Sequence, residues 1–476
     1  MGKRNNESDV EYKLRKKAKK EKKEKKLAKR ETQKNKTDTA AENDNNNTTE
    51  TNYPCWNSFS EAPFAKPIQQ ALQDAGFTEP SPIQARAWPV AISGKDLIAV
   101  AKTGSGKTLG FLLPVFHRIS TNDLPGTKRL SSSNGSTSPL CLVLSPTREL
   151  AIQIHGECVK FGSCVNIRSE CVYGGTNVQT QLKQLKSASP QVVIATPGRL
   201  CDLLERKALS LSSCPFVILD ESDRMLDMGF EKQLTTIMEL LPSDRQTHMF
   251  TATWPKAVRR IADKFLRKGE TTEIFIGGAE NGELAANKAV TQTFVEAQDD
   301  QKDKKLYDIL CGLEDTSSVV IFANTKRRVD FVAKTFWQEG FSTVAVHGDK
   351  PQHERDASLR KFINKESNIM VATDVAARGL DIKGVTHVIN FDMARDVESY
   401  VHRIGRTGRA GEVGEAITFW NPDYDKECSP ALVVIAKNAG QQVPPFLQKY
   451  EKVKTNKQWK VANAEKATTE LLKGSA

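Results

Sequence analysis

Short apolar runs, each closed by turn residues, recur along the chain and alternate with segments of helical periodicity. Apolar runs of this kind are typical of strands buried on both faces, and their alternation with helices predicts parallel sheets covered by helices on both sides. The runs lie at 96–101, 140–146, 167–175, 192–197, 216–220 and 248–253, and again at 290–297, 318–324, 343–349, 368–374, 386–392 and 415–420. The repeated order of elements predicts two similar α/β domains in tandem.

The chain of 476 residues is too long for one compact domain. We predict a first domain over 53–276 and a second over 290–440. A linker is expected over 277–289, where glycine and asparagine replace the periodic pattern. The segment 121–138 is rich in serine and glycine and is predicted to form a mobile surface loop within the first domain.

Most of the net charge of +11 lies at the two ends of the chain. Residues 1–50 carry 16 Lys/Arg against 10 Asp/Glu, and residues 441–476 carry 7 against 3. We expect 1–52 and 441–476 to be basic disordered tails, because segments so poor in apolar residues cannot offset their ordering entropy. Residues 12–30, with twelve Lys/Arg, are interpreted as a nuclear localisation signal, a nonspecific RNA-binding arm, or both.

The composition excludes several classes of protein. No stretch approaches 18 consecutive apolar residues and no apolar segment follows the polar first residues, so neither a membrane span nor a secretory signal is expected. Nine cysteines are scattered singly without a CxxC pair, which argues for reduced thiols in cytosol or nucleus and against a disulfide framework or a zinc site.

A phosphate-binding loop is predicted at AKTGSGKT (101–108), between a strand and a helix. Its glycines let backbone N–H groups face a polyphosphate. The amine of Lys107 would reach the β and γ phosphates, and the hydroxyl of Thr108 would bind Mg²⁺. The alternative is a glycine-rich turn with a chance Lys-Thr pair. Nucleotide binding is assigned to Ala101, Lys102, Thr103, Gly104, Ser105, Gly106, Lys107 and Thr108.

The second motif of the nucleotide site is an acidic element that follows the apolar strand of FVILDESD (216–223). Asp220 would hold Mg²⁺ through water, and Glu221 would polarise the attacking water. The alternative is a strand capped by solvent-facing acids, but the phosphate loop upstream favours a nucleotide site. ATP and Mg²⁺ are therefore the expected cofactors.

Hydrolysis also needs a cation against the charge that develops on the γ phosphate, and an arginine there is worth roughly 10³–10⁵ in rate. Arg406 and Arg409 are three residues apart in HRIGRTGR (402–409), so both guanidinium groups can reach one side of a cleft. They lie about 300 residues from Lys107. We therefore expect a catalytic site divided between the two domains and complete only when they close; the alternative is a basic surface loop.

Taken in order, these motifs resemble those of the DEAD-box ATP-dependent RNA helicases, from Phe59 to about residue 419. The resemblance implies two RecA-like domains with parallel sheets. It implies that Gln84 of GFTEPSPIQ (76–84) bonds the adenine, that Phe59 stacks on it, and that Asp381 accepts from the ribose hydroxyls. It also implies coupling between the domains through Asp223, Thr251, Thr253 and His402.

The same resemblance implies contacts with the RNA backbone from both domains. The motifs are PTREL (146–150), the Gly-Gly pair at 174–175, TPGR (196–199), IFANTK (321–326), the QxxR at 352–355 and ATDVAARGLDI (372–382). The assigned residues are Thr147, Arg148, Gly175, Thr196, Arg199, Asn324, Thr325 and Thr373. Contacts with phosphate and sugar carry no base information, so binding is expected to be independent of sequence.

Two positions depart from the family pattern. DESD stands for the usual Asp-Glu-Ala-Asp, and TAT (251–253) stands for Ser-Ala-Thr. Because the three acids and the hydroxyl are kept, we predict an active enzyme.

The predicted function is an RNA-dependent ATPase that locally unwinds short duplexes or remodels RNA–protein particles. An ATP-gated RNA clamp would use the same residues, whereas a processive DNA translocase is disfavoured by the adenine motif and by the lack of an added domain. The lysine-rich N-terminus, CVYGGT (171–176) and FTATWP (250–255) resemble the nucleolar members of ribosome biogenesis. We expect a nuclear, nucleolar monomer acting on pre-rRNA with unknown protein cofactors and no membrane partner; splicing or transcription is the alternative.

Overall fold

In the computed structural model, the described residues are 53–102, 104–124, 137–276, 287–377, 382, 384–409, 412–453 and 459. The predicted N-terminal tail, most of the 121–138 insert, most of the linker and most of the end of the chain lie outside this part. The described residues form two parallel sheets covered by helices, so the predicted tandem α/β architecture is confirmed. Within the same ranges, no helix is long and apolar enough to cross a membrane.

The first domain contains a seven-stranded parallel sheet in the order β3-β4-β2-β5-β6-β1-β7. Its strands are β1 Asp96–Val100, β2 Cys141–Leu144, β3 Ser169–Val172, β4 Val192–Ala195, β5 Phe216–Leu219, β6 Gln246–Thr251 and β7 Thr271–Phe275. Its helices are α1 Lys66–Asp74, α2 Pro82–Ile92, α3 Lys107–Ser120, α4 Arg148–Gly162, α5 Val178–Ala188, α6 Pro197–Glu205, α7 Ser222–Asp227, α8 Glu231–Glu239 and α9 Lys256–Phe265.

Alternate residues of the central strands enter two separate cores, one on each face of the sheet. Leu97 and Ala99 of β1 pack into one core, and Ile98 and Val100 pack into the other. This period of two is the geometry of a strand with both faces buried, and it explains why the predicted runs are apolar throughout. The edge strand β7 was not predicted, because its first three residues are polar and only partly buried or exposed.

The second domain contains a six-stranded parallel sheet in the order β10-β11-β9-β12-β13-β8. Its strands are β8 Val290–Glu296, β9 Val319–Phe322, β10 Thr343–Val346, β11 Ile369–Ala372, β12 His387–Asn390 and β13 Gly414–Trp420. Its helices are α10 Lys302–Cys311, α11 Lys326–Gln338, α12 Gln352–Ile363, α13 Asp374–Ala377, α14 Val397–Ile404, α15 Ser429–Asn438 and α16 Pro445–Gln448. All six predicted strands of this half are present.

The second domain extends past residue 440, where a basic tail was predicted to begin. Leu447 is fully buried, and Phe446 and Tyr450 place their rings 5.6 Å and 5.3 Å from the ring of Trp420. Trp459 is also buried, 6.4 Å from the ring of Tyr400. The predicted boundary is wrong, because these apolar side chains cover the core of the second domain despite the basic composition of the segment.

The predicted site residues follow the carboxyl ends of the strands in both sheets. The phosphate loop follows β1, PTREL follows β2 and DESD follows β5. In open parallel sheets, ligands bind in the crevice outside these ends. The topology therefore gathers motifs that are far apart in the sequence at one edge of each sheet.

Candidate nucleotide and RNA site

The phosphate loop is a tight turn that only glycine can complete at two positions. Gly104 and Gly106 have φ of +75° and +89°, in the left-handed region. Gly106 comes directly before α3, so the N–H groups of the first turn of that helix face the loop. The structure thus gives 104–108 the strand–turn–helix geometry predicted for an anion-binding loop.

Gln84 locks this loop against the start of α2. Its amide nitrogen donates to the carbonyl of Gly106 at 2.9 Å, and its oxygen accepts from the backbone N–H of Ser81 at 3.0 Å. A Cβ on Gly106 would come within 2.7 Å of the Gln84 amide and of the Ser81 hydroxyl. The predicted adenine contact of Gln84 stays a prediction, but the side chain has a second task in shaping the phosphate loop.

Lys107 is buried beside three acids. Its ammonium donates to the carbonyls of Ala101 at 2.7 Å and Lys102 at 3.1 Å. Burial lowers the pKa of Lys107, and the charges of Asp220, Glu221 and Asp223 oppose that change. Burial and the neighbouring Glu221 raise the pKa of Asp220 to about 7, and Lys107 opposes this shift.

The predicted metal and nucleotide ligands fit the groups assigned to them. Asp220 is 3% exposed and Glu221 7%, so two carboxylates lie together in a nearly dry environment beside Lys107. Burial raises the pKa of Asp220 because it removes water from the charged carboxylate, and the charge of Glu221 adds to this shift. Oxygen ligands of this kind suit Mg²⁺ held between protein and phosphate, with Thr108 at the first turn of α3 as the hydroxyl ligand.

Asp223 ties the acidic element to β6. Its Oδ2 accepts from the backbone N–H of Thr253 at 3.0 Å and from the Thr253 hydroxyl at 2.8 Å. The Thr251 hydroxyl donates to the carbonyl of Thr253 at 2.9 Å. These bonds tie the TAT segment to the acidic element, and the interdomain coupling assigned to both stays a prediction.

Ser222 is one of the two residues that depart from the family pattern. Its hydroxyl is buried and lies 3.2 Å from the carbonyl of Leu219 on β5 and 3.4 Å from that of Phe250 on β6. The substitution therefore adds a polar link between two strands and brings no unpaired polar atom into the core.

The second domain brings one of the two predicted arginines, Arg409, to the phosphate loop. The Cγ of Arg409 lies 3.4 Å from the position that a Cβ would take on Gly104, and the Arg409 charge contributes to lowering the pKa of Lys107. Arg406 is 7% exposed, and its Nε donates to the carbonyl of His402 at 3.1 Å. His402, 6% exposed, lies on α14. The structure thus brings Arg409 to Lys107 across the domain boundary, as the divided site predicts.

The structure does not test the nucleotide contacts predicted for Thr103, Asp381 and Phe59. Thr103 and Asp381 lie outside the described residues. Phe59 is partly buried with its ring 6.1 Å from that of Trp88, and its stacking on adenine stays a prediction. Lys102 donates from its amine to the Asn287 side chain at 2.9 Å, so it links the phosphate loop to the end of the linker.

The predicted RNA contacts of the first domain lie in loops and at helix starts. Thr147 caps α4 by accepting from the N–H of Leu150 at 3.3 Å, and Thr196 precedes α6. Gly175 is exposed with φ of +82°. Arg199 points inward, since it donates to the Gln181 side chain at 2.7 Å and to the carbonyl of Thr176 at 2.9 Å.

Two crossed ion pairs between the domains were not predicted. Arg148 Nη2 lies 3.0 Å from Asp356 Oδ2, and Arg355 Nη1 lies 3.5 Å from Glu149 Oε1. They join the start of α4 to α12, so the PTREL and QxxR motifs lie next to each other in the structure. The sequence shows three of these charged residues in the two motifs and the fourth, Asp356, directly after QxxR, but not that they pair.

A second feature missed by the sequence analysis is a buried arginine. Arg403 is 1% exposed and bonds both carboxylate oxygens of Asp374, at 2.6 and 2.7 Å. It also donates to the Asn324 oxygen at 2.6 Å, while the Asn324 amide donates to the carbonyl of Met393 at 2.8 Å.

The other two RNA residues assigned to the second domain are partly accessible. Thr325 is exposed and caps α11 by accepting from the N–H of Arg328 at 3.2 Å, and Thr373 immediately precedes α13. Buried Arg403 thus organises the loops that carry Asn324 and Thr373, and RNA contact by these residues remains a prediction.

Comparison with protein families identifies the class of this protein. The DEAD/DEAH box helicase model matches residues 81–261, and the helicase conserved C-terminal domain model matches residues 301–411. The chain belongs to the DEAD/DEAH box helicase family.

Curated relatives share nearly half of their aligned residues with this chain. DEAD-box ATP-dependent RNA helicase 14 of Arabidopsis thaliana is 45% identical over 82% of this chain and 61% of its own length. ATP-dependent RNA helicase DBP2 of Saccharomyces cerevisiae is 44% identical over 83% of this chain and 70% of its own length. The chain spans 61% and 47% of the first two relatives, the second being DEAD-box ATP-dependent RNA helicase 40 of rice.

Solved structures share the two-domain arrangement. S. cerevisiae Dbp5 bound to RNA and ADP BeF3 has a TM-score of 0.70 at 29% identity, and the match covers 83% of this chain and 100% of that one. Mss116p bound to ssRNA and AMP-PNP has a TM-score of 0.71 at 25% identity, over 85% and 82%. Both RecA-like domains align together, so the predicted fold class is confirmed.

Proposed function

We propose that this chain is an ATP-dependent RNA helicase that hydrolyses ATP in the cleft between its domains. It binds the RNA backbone without regard to sequence and separates short duplexes locally. The observation that carries the proposal is the approach of Arg409 from the second domain to Gly104 of the phosphate loop. The relatives named as ATP-dependent RNA helicases, and the related structures with bound RNA and nucleotide, support the same activity.

In the proposed reaction, each residue has a role set by its position. The loop at 104–108 and Lys107 hold the phosphates, and Glu221 orients and polarises the water. The charges of Arg406 and Arg409 stabilise the transition state only when the domains are closed. Mg²⁺, held through Asp220 and Thr108, would neutralise phosphate charge. Closure with RNA in place bends the strand, and hydrolysis allows the domains to separate.

The proposal is tested by ATP turnover with and without single-stranded RNA, for the wild type and for Glu221→Gln. We expect RNA to stimulate the wild type and Glu221→Gln to lower kcat by about 10²-fold or more, the contribution of a general base. Binding of a non-hydrolysable ATP analogue should change little. Glu239→Gln is the matched control, since Glu239 is exposed on α8 of the same domain, outside the acidic element.

Strand displacement separates the helicase from the ATP-gated clamp. A helicase should release the shorter strand of a duplex of about one helical turn in an ATP-dependent manner. A long-lived RNA complex with the ATP analogue, but without displacement under ATP, would support the clamp. Turnover that does not respond to RNA would overturn the proposed activity.

We further propose that the substrate is pre-ribosomal RNA in the nucleolus and that the protein acts as a monomer. The lysine-rich segment 12–30 and the resemblance of CVYGGT and FTATWP to nucleolar members support this assignment. Crosslinking in cells followed by RNA sequencing should recover pre-rRNA, and a tagged chain lacking 12–30 should leave the nucleolus. Recovery of splicing RNAs or nascent messenger RNA would favour splicing or transcription. Sedimentation of the purified chain tests the monomer.

A further inference from the structure

A single buried side chain joins two segments that are assigned to the RNA backbone. Gln181 of α5 is 5% exposed, and its amide nitrogen donates to the carbonyl of Tyr173 at 3.2 Å and to the hydroxyl of Thr176 at 2.9 Å. These two residues flank the Gly-Gly pair at 174–175. The Gln181 oxygen accepts at 2.7 Å from Nη1 of Arg199, which lies in the first turn of α6, the end of the TPGR segment (196–199). One amide therefore connects the Gly-Gly turn to the TPGR segment.

The partners of Gln181 fix the orientation of its amide. Two acceptors face the nitrogen and one charged donor faces the oxygen, so a flipped amide would oppose like groups on both sides. Arg199 closes the ring by donating from Nη2 to the carbonyl of Thr176 at 2.9 Å. A buried network with its donors and acceptors paired in this way specifies one geometry for the Gly-Gly turn and the start of α6.

The Gly-Gly turn depends on this network because it has little packing of its own. Gly174 and Gly175 are exposed, and nothing lies within 4 Å of where their Cβ atoms would be. Gly175 also has φ of +82°. Such a turn is conformationally free unless bonds from outside hold its two ends, and Gln181 and Arg199 supply those bonds.

The same turn contacts the interdomain ion pair through Tyr173. The guanidinium carbon of Arg148 lies 4.4 Å from the centre of the Tyr173 ring, within the range of a cation–π contact. Nη2 of the same guanidinium lies 3.0 Å from Asp356 of the second domain. The shape of the turn therefore influences where Arg148 can meet its partner on closure.

We propose that Gln181 is a positioning residue for RNA-dependent closure. It holds the Gly-Gly turn and the TPGR segment in the relative positions that the RNA backbone requires, and through Tyr173 it supports the Arg148–Asp356 contact. The inference rests on the proposed function, because it assigns RNA to these two segments. A side chain that only stabilised the fold would affect nucleotide binding and RNA binding equally.

The first test is Gln181→Glu, which keeps the shape and the acceptor for Arg199 but replaces the amide donor by a carboxylate. We expect the RNA concentration that half-saturates ATPase stimulation to rise about tenfold, as expected for lost hydrogen bonds. Turnover at saturating RNA and binding of an ATP analogue should stay within about twofold. Gln179→Glu is the matched control, since it makes the same change at an exposed position of α5.

Three further variants avoid the added charge. Gln181→Met keeps the volume without a donor or a charge and should shift half-saturation in the same direction. Thr176→Val removes the hydroxyl that accepts from Gln181 and donates to the carbonyl of Tyr173 at 3.3 Å, and should also shift half-saturation. Thr176→Ser keeps the hydroxyl and should retain the wild-type value. The threonine pair keeps the test decisive if a change at Gln181 prevents folding.

Unchanged half-saturation in the Gln181 variants, beside a wild type that RNA stimulates, would overturn this inference alone. A common loss of melting temperature, ATP binding and RNA binding would also overturn it, since Gln181 would then act only on the fold. A wild type that RNA does not stimulate would overturn the proposed function, and this inference with it.

Discussion

The ion pairs Arg148–Asp356 and Glu149–Arg355 predict that closure of the two domains depends on charges outside the nucleotide site. Arg148 and Asp356 are 3.0 Å apart with side chains 11% and 38% exposed. A hydrogen bond to a charged group contributes about 1.5–3 kcal/mol when buried. Because Asp356 is more than a third exposed, solvent screening reduces this to about 1 kcal/mol. A free energy of that size changes the closed population about fivefold.

The perturbation is Asp356→Asn, which removes the charge and keeps an oxygen for the bond from Gln352. The assay is the dissociation rate of a fluorescent single-stranded RNA in the presence of a non-hydrolysable ATP analogue, which reports the closed complex. We expect dissociation about fivefold faster than in the wild type. Glu231→Gln is the control, since Glu231 pairs with Arg260 at 2.9 Å within the first domain.

A double-mutant cycle isolates the pair from any direct contact of Arg148 with RNA. In the Arg148→Ala background, Asp356→Asn should add no further acceleration, because its partner is already absent. An equal acceleration in both backgrounds, with a coupling energy below about 0.3 kcal/mol, would refute the interdomain role of the pair.

Three further predictions concern single positions. Gly106→Ala should weaken binding of an ATP analogue at least about tenfold in a titration, because its Cβ would lie 2.7 Å from the Gln84 amide at φ of +89°; unchanged affinity would contradict the tight loop. Ser222→Ala should lower the free energy of unfolding in urea by about 1 kcal/mol and leave RNA-stimulated turnover within twofold, because only an interstrand bond is lost. Burial, with Arg118 and Arg267 nearby, lowers the pKa of His248 to about 3. Between pH of about 6.5 and about 3 only the unfolded chain then takes up the proton, so this group should lower the free energy of unfolding by about 1.4 kcal/mol for each unit that the pH falls. His248→Met should reduce this slope in urea unfolding measured at several pH values, and an unchanged slope would contradict the prediction.

The parts of the fold that the sequence predicts are those where one local pattern determines the structure. The strands at 192–197 and 216–220 are buried on both faces, so each is a short apolar run. The phosphate loop joins a strand directly to a helix, so its strand, turn and anion-binding residues are contiguous in the sequence. β7 was missed because an edge strand needs only a partly apolar surface, and Thr271, Thr272 and Glu273 do not form an apolar run.

The C-terminal segment was predicted to be a tail because charge averaged over many residues concealed a local pattern. Val443, Phe446, Leu447 and Tyr450 follow the i, i+3, i+4, i+7 spacing of a helical face. They lie over the second domain, where Trp420 supplies an apolar surface to cover. The helical spacing can be read from the sequence, but the apolar surface around Trp420 that these residues cover exists only in the folded second domain.

Pairings between distant residues could not be predicted from the sequence. Arg148 and Asp356 are 208 positions apart, and helical periodicity shows which face a residue occupies but not which partner it meets. Gln181 and Arg199 are only 18 positions apart, but their bond depends on how α5 and the start of α6 pack at the end of the sheet.

The two arginines assigned to RNA in the first domain show how the structure changes the meaning of a motif. Arg199 is engaged by Gln181 and Thr176, and Arg148 is engaged by Tyr173 and Asp356. The motifs predict which residues lie near the RNA, but in the structure these two guanidinium groups contact protein groups. We therefore expect much of the affinity of the first domain for RNA to come from backbone N–H groups of exposed turns, such as the Gly-Gly pair at 174–175. A backbone N–H can donate to a phosphate oxygen without a cationic side chain. On this view the arginines set the shape of the site, and the backbone makes the contact.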